Sequence, residues 1–242
     1  MLAHRGLALE APENTLLSFV AALGLGITHL ETDVHASRDG VAVISHDPEL
    51  ARVASRPGRV IELSMAELRD VDLGHGQGFC SLAEALDAFP EARFNIDIKA
   101  ASAIQPTVDA VRAARATDRV LLTSFSESRR RAAVRLLPGV ATSASGPRFA
   151  AALAAGKLRL TPLVHGVLRE IDAVQVPVRA GRVTIATERM IRLLQRAGVE
   201  VHFWTINEPV AMHRLLDLGA DGVVTDRADL ALGVLRERGF TV

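Results

Sequence analysis

Short apolar runs of three to seven residues alternate with longer amphipathic stretches along the whole chain, and this alternation limits the fold more than any other feature. Period and turn residues predict strands at Leu2–His4, Thr28–Val34, Val41–Ser45, Phe94–Ile98, Val120–Ser124, Val140–Ser143, Ala173–Val176, Val199–Thr205 and Gly222–Thr225. Helices are expected near Thr15–Leu25, Met65–Leu68, Leu82–Ala88, Ala103–Ala116, Ser126–Leu136, Pro147–Ala154, Glu188–Ala197, Glu208–Leu218 and Ala228–Arg236. Gly198 and Gly219 follow two of them, where a left-handed cap is favoured. Only six residues separate Val34 from Val41, among them the turn-like Ser37-Arg38-Asp39-Gly40. A parallel crossover needs a dozen residues or more, so Val41–Ser45 must return as a hairpin. Eight strands then remain, with helices between them, which is the signature of an α/β fold of the (β/α)8 TIM-barrel type. A doubly wound open sheet is the alternative, but the first strand is not followed by Gly-x-Gly-x-x-Gly.

At 242 residues and 49% hydrophobic content the chain can bury one substantial core. The expected organisation is a single domain over 1–242, with residues 35–80 as a short excursion after the second strand. Lys and Arg number 28, as do Asp and Glu, which removes the basic footprint of a nucleic-acid binder. No run approaches the roughly 18 apolar residues of a membrane span, and no charged start precedes an apolar signal core. The expected location is cytoplasmic, although His4 lies so near the start that an upstream leader is left open. The single cysteine, Cys80, excludes an intramolecular disulfide and a cysteine metal cluster, and reads more simply as a buried apolar residue than as a catalytic thiol.

Chemistry is concentrated at strand ends, which converge on one mouth in such a barrel. His4 closes the first strand and is followed by Arg5. Glu31 and Asp33 lie near the end of the second, and Asp97 and Lys99 at the end of the next parallel one. Side chains two apart share a face, so all four can point to the barrel axis while Thr32 and Ile98 face the helices. Three carboxylates in one mouth repel one another unless compensated. An ion network with Arg5 and Lys99 is one way to compensate them. Three acids on neighbouring strands favour a hard divalent cation, Ca2+ or Mg2+, which takes oxygen ligands; zinc would want more histidine. Of eight histidines, His29, His35, His75, His165 and His213 read as surface or loop residues, and His202 as a possible pocket residue near Trp204. His4 and His46 differ, because each ends an apolar strand beside a charge. Two imidazoles next to a carboxylate-held cation suit phosphodiester cleavage, one as base and one as acid.

His4-Arg5-Gly6, Ala11-Pro12-Glu13-Asn14-Thr15, Glu31-Thr32-Asp33-Val34, Ser37-Arg38-Asp39-Gly40, His46-Asp47-Pro48 and Asn95-Ile96-Asp97-Ile98-Lys99 together resemble the glycerophosphodiester phosphodiesterase family. Ser124-Phe125, Trp204-Thr205-Ile206-Asn207 and the segment Gly219 to Asp226 match its later landmarks in order, so the resemblance covers essentially the whole chain. It implies a barrel enzyme that cleaves glycerophosphodiesters, small-molecule substrates, to glycerol 3-phosphate and an alcohol. The substrate's own 2-hydroxyl would attack first, and water would open the resulting cyclic phosphate. It further implies His4 and His46 as the acid–base pair, Glu31, Asp33 and Asp97 as metal ligands, and Lys99 and Arg5 at the phosphate. Phe125 and Trp204 would line the substrate site. Asp97 stands where the family more often carries Glu; one methylene shorter, it must approach an ion more closely or bind through water. A lysophospholipase D-type head-group phosphodiesterase and a non-catalytic phosphate-binding barrel are the alternatives. The alcohol, the choice of metal and the oligomeric state are left open.

Overall fold

A computed structural model describes residues 1–240; residues 241 and 242, part of the expected domain, lie outside the described residues. The strands are β1 (Leu2–His4), β2 (His29–Ala36), β3 (Ala42–Ile44), β4 (Arg93–Ile98), β5 (Val120–Thr123) and β6 (Ala141–Thr142). They continue with β7 (Ala173–Val176), β8 (Arg179–Ala180), β9 (Val183–Thr184), β10 (Glu200–Phe203) and β11 (Gly222–Thr225). The helices are α1 (Leu16–Gly24), α2 (Ala51–Ala54), α3 (Met65–Arg69), α4 (Leu82–Ala88), α5 (Ile104–Ala113) and α6 (Glu127–Leu136). After them come α7 (Gly146–Lys157), α8 (Thr161–Leu168), α9 (Glu188–Gln195), α10 (Pro209–Asp217) and α11 (Ala228–Glu237). None of these helices is both long and apolar enough to cross a membrane.

Eight parallel strands run in the order β6-β5-β4-β2-β1-β11-β10-β7. The two ends of that order meet at a parallel bridge between Ser143 and Ala173, supported by Ala144 N–H on the Ala173 carbonyl at 2.8 Å. The result is a nearly closed (β/α)8 barrel. As the six-residue connection requires, β3 is not a barrel stave. It pairs antiparallel with β2, His35 opposite Val43. The excursion that follows carries its own apolar cluster of Val43, Leu50, Val60, Met65, Leu68, Val71 and Phe79. Its α3, like α4, opens with a Ser-x-x-Glu capping box, Ser64 with Glu67 and Ser81 with Glu84.

The main core lies between the barrel and the helix layer. Leu30, Phe94, Ile96, Ile98 and Leu122 pack outward against Phe19, Leu82, Leu86 and Val108. On the other side of the barrel Val174, Val201, Phe203 and Val223 cluster with Ile191, Leu194, Met212 and Leu215. Phe19 meets Phe94 edge to face at 5.9 Å, so truncating either ring to Ala should cost about 3–5 kcal/mol. With the apolar faces turned outward, the barrel interior holds polar side chains. Gly222 makes room for one of them: a Cβ there would lie 2.7 Å from Cδ2 of His202.

Three elements depart from expectation, the first being α2, a single turn in the excursion where no helix is expected. The β6–β7 connection contains α8, a helix that the periodicity does not reveal. Its Pro162 sits in the first turn, where a missing N–H costs nothing. The β8–β9 hairpin is two residues per strand, too short to show a period.

Candidate active site

His4, Arg5, Glu31, Asp33, His46, Asp97, Lys99, Phe125 and Trp204 all line one cavity of about 300 Å³ at the C-terminal ends of the strands. Register explains the convergence. His4 pairs beside Glu31, and Asp33 beside Asp97, so neighbouring staves deliver these side chains at matched heights. Thr32 and Ile98, between them, are fully buried on the helix side. Arg5 is turned into the mouth by a left-handed residue, φ 57°, followed by Gly6 at φ 82°. A side chain at Gly6 would collide with Ser18 at 2.5 Å, so the turn can lie against α1 only with glycine.

Each of the two imidazoles is tied at Nδ1 to an aspartate. His4 Nδ1 lies 2.5 Å from Asp226 Oδ1, and Asp226 also accepts from Asn207 Nδ2 at 2.9 Å. His46 Nδ1 lies 2.6 Å from Asp47 Oδ1. An Nδ1–H donated to a carboxylate fixes the tautomer and leaves the Nε2 lone pair free. The hydrogen bond from His4, above all, holds the Asp226 carboxyl below its ordinary range.

The three acids meet two cations. Lys99 Nζ bridges Asp33 Oδ1 at 2.8 Å and Asp97 Oδ2 at 2.7 Å, while Arg5 Nε lies 3.3 Å from Asp33 Oδ2. Asn14 Nδ2 adds a hydrogen bond to Asp33 at 3.2 Å. Burial works to raise the Asp33 pKa, but Lys99, Arg5 and His46 outweigh it and hold the carboxyl low. Glu31 is the uncompensated member. Burial first, then Asp33 and Asp97, push its pKa well up against the weaker pull of Lys99 and Arg5. Burial likewise raises Asp97 despite Lys99.

Among the described residues no group of three or more His, Cys, Asp or Glu side chains is gathered closely enough to hold an ion. The expected ligand set is thus not pre-assembled, because the Lys99 ammonium lies between Asp33 and Asp97. The donor chemistry nonetheless fits a hard divalent cation. All three side chains offer oxygens, three acids face only the two cations Arg5 and Lys99, and the buried Asp97 Oδ1 has no hydrogen-bond partner. Lys99, assigned to the phosphate by resemblance, lines the cavity with its ammonium against Asp33 and Asp97.

The remaining rim is aromatic and neutral. Phe125 stacks edge to face on Trp204 at 6.0 Å, with Phe149, Val176 and Pro177 nearby. His202 does not line this mouth. It is buried on β10 with Nε2 2.9 Å from Glu200, and it faces a second cavity of about 550 Å³ at the opposite end of the barrel. His29, inside the expected second strand, lies half-buried on β2, and burial above all pushes its pKa down to about 4; His35, expected at the surface or in a loop, is buried on β2 with Nε2 3.2 Å from the His46 carbonyl. His75 and His165 are exposed. Cys80 is buried, its thiol pushed up to about 12 by burial and then by Glu84. Sequence reasoning assigns no role to Asp226, Asn207, Glu13 or Arg52. A signal exists for Asp226, which stands just past the end of a barrel strand, where mouth residues belong.

The model of the family described as glycerophosphoryl diester phosphodiesterase matches residues 4–230. A Mycobacterium tuberculosis protein named "Probable glycerophosphodiester phosphodiesterase 2" is 46% identical over 240 residues, which cover 98% of this chain and 91% of that one. Among solved structures, a phosphodiesterase from Oleispira antarctica in complex with the product sn-glycerol-3-phosphate superposes with a TM-score of 0.81 at 25% identity, over 97% of this chain and 96% of that one. A glycerophosphodiester phosphodiesterase from Agrobacterium tumefaciens superposes with a TM-score of 0.78 at 24% identity, over 96% and 98%. Matched across nearly its full length, the chain belongs to the glycerophosphoryl diester phosphodiesterase family and is an enzyme.

Proposed function

We propose that the enzyme hydrolyses glycerophosphodiesters to sn-glycerol 3-phosphate and an alcohol, with residues 1–242 as one catalytic unit and 35–80 as its insertion. The observation that carries this reading is the pair of aspartate-anchored imidazoles, His4 with Asp226 and His46 with Asp47, on one cavity. Nε2 of one ring takes the proton from the attacking 2-hydroxyl as its oxygen bonds to phosphorus. The other ring protonates the alcohol oxygen as the P–O bond breaks, and the two exchange roles when water opens the cyclic phosphate. Arg5 and Lys99 offset charge on the phosphoryl oxygens. Glu31, Asp33 and Asp97 would hold a divalent cation, Ca2+ or Mg2+, which supplies further stabilisation of that charge. A cation held by these acids would weaken their pull on the Lys99 ammonium, which now lies against Asp33 and Asp97.

Purified enzyme incubated with glycerophosphocholine should release sn-glycerol 3-phosphate. EDTA should abolish release and added Ca2+ or Mg2+ restore it. No turnover with either cation, or turnover indifferent to chelation, defeats the respective part of the reading. One observation favours a second substrate type: Phe125 is 60% exposed beside Trp204, an apolar rim suited to the start of an acyl chain. A lysophospholipid assayed in parallel, turning over faster than glycerophosphocholine, would move the assignment there.

A further inference from the structure

From Nδ1 of His46 an unbroken chain of ion pairs leads through the excursion to Arg5, which lines the same cavity. Asp47 Oδ1 holds His46 Nδ1 at 2.6 Å, and Asp47 Oδ2 accepts from Arg52 Nε. The other two Arg52 nitrogens span Glu13, with Nη1 3.0 Å from Oε2 and Nη2 2.6 Å from Oε1. Glu13 Oε1 in turn accepts from Arg5 Nη1 at 3.0 Å. Arg52, on α2 of the excursion, therefore grips one carboxylate behind the imidazole and another behind the guanidinium.

We propose that Arg52 is a positioning residue for phosphodiester cleavage, a clamp that holds the His46 ring and the Arg5 guanidinium in fixed relation through Asp47 and Glu13. The proposal rests on the acid–base role of His46 given above. The His46 backbone is already held, since His35 Nε2 meets its carbonyl at 3.2 Å, so rotation of the side chain is the freedom left to remove. Asp47 alone removes it poorly, because a carboxylate bound through one oxygen can turn about its own bonds. Arg52 on the second oxygen stops that turn. A planar guanidinium suits this role, since it presents its donors as a rigid fork and can satisfy two carboxylates at once, which a lysine ammonium cannot. The charges respond accordingly. Burial works to raise both acids, but Arg52 and Arg5 at Glu13, and His46 and Arg52 at Asp47, outweigh it and hold both low. The excursion thus supplies the site with a histidine and also with the strut that aims it.

The test is Arg52→Gln and Arg52→Lys, each made in the wild-type and the His46→Ala enzyme, with kcat, KM and melting temperature measured. In the wild type, Arg52→Gln should lower kcat about tenfold and leave KM within about twofold, the mark of a misaimed group rather than a lost binding contact. Arg52→Lys should recover part of the loss. In His46→Ala, Arg52→Gln should cost less than about twofold, because the ring it aims is gone. An equal loss in both backgrounds, a loss confined to KM, or an unchanged kcat with the fold intact overturns the clamp. Full turnover by His46→Ala itself would instead overturn the acid–base assignment, so the two failures are told apart.

Discussion

The mouth of the barrel has two unlike halves. The strands β1, β2 and β4, with the β3 hairpin, contribute His4, Arg5, Glu31, Asp33, His46, Asp97 and Lys99. The strands β5, β6, β7 and β10 and the segments that follow them contribute Thr123, Ser124, Phe125, Ala144, Ser145, Gly146, Phe149, Gln175, Val176, Pro177, Trp204 and Thr205, with no ionisable carboxylate, amine or imidazole among them. Proton transfer demands hydrogen-bond contact, and charge is worth most at short range in a partly dry cavity. Groups that must act together therefore belong on adjacent staves, and a neutral wall opposite them suits the part of a substrate that does not react. Acids and arginines do occur beneath the neutral wall: Glu127, Arg130 and Arg148 are spent on each other, while Arg129 Nε donates to Ser124 Oγ at 3.0 Å. Glu127 takes two hydrogen bonds from Arg130 and one each from Ser145 and Arg148.

The division is tested most severely by removing the imidazoles. His4→Ala and His46→Ala should each lower kcat by at least about 10²-fold, the scale of lost acid–base catalysis, with little change in melting temperature because both rings are partly exposed. Steady-state kinetics on glycerophosphocholine together with a melting curve decide it. If Gln175→Leu on the neutral wall cost as much, the chemistry would not be confined to one half.

The charged half is largely legible in sequence, the partners of its residues much less so. The i, i+2 spacing of Glu31 with Asp33, and of Asp97 with Lys99, translates directly into a shared face once the segment is a strand. Nothing periodic announces that His4 will find Asp226, because 222 residues separate them and only closure of the barrel joins β1 to β11. The same holds for Arg52 and Glu13, 39 residues apart, one on α2 and the other on the turn before α1. Composition shows that Lys99 stands among acids, but whether its ammonium faces them or a phosphate depends on side-chain torsions that no pattern encodes. His35 departs from its expected place because β2 runs on to Ala36, so that pairing with Val43 buries a residue expected at the surface or in a loop.

A milder perturbation falls on the neutral wall. Trp204→Ala removes the ring against which Phe125 stacks and should raise KM about tenfold while changing kcat less than about threefold, the pattern of lost uniform binding worth about 1.4 kcal/mol. Measured beside His46→Ala, it gives opposite splits between kcat and KM for the two halves. A large fall in kcat from Trp204→Ala would mean that the aromatic wall aims the reacting bond and that the halves are less separate than their charges suggest.

The smallest effect concerns the acid hidden under the neutral wall. Burial works to raise the Glu127 pKa, yet hydrogen bonds from Arg130 and Ser145 and the charges of Arg130 and Arg148 bring it down to about 2. A carboxylate depressed on folding contributes stability that is present above its unfolded pKa of about 4.5 and is lost as pH falls toward about 2. Replacing it by Gln at pH 7 leaves the Arg130 guanidinium, whose side chain is 4% exposed, without its ion-pair partner. That should cost about 1 kcal/mol, or about 2–4 °C in melting temperature for a chain of this length. The gap between wild type and Glu127→Gln should then narrow as pH falls below about 4.5, while kcat at neutral pH stays within about twofold. A gap that is constant with pH would show that the loss is one of packing rather than charge. A large fall in kcat would place Glu127 among the working groups and end the description of that wall as chemically inert.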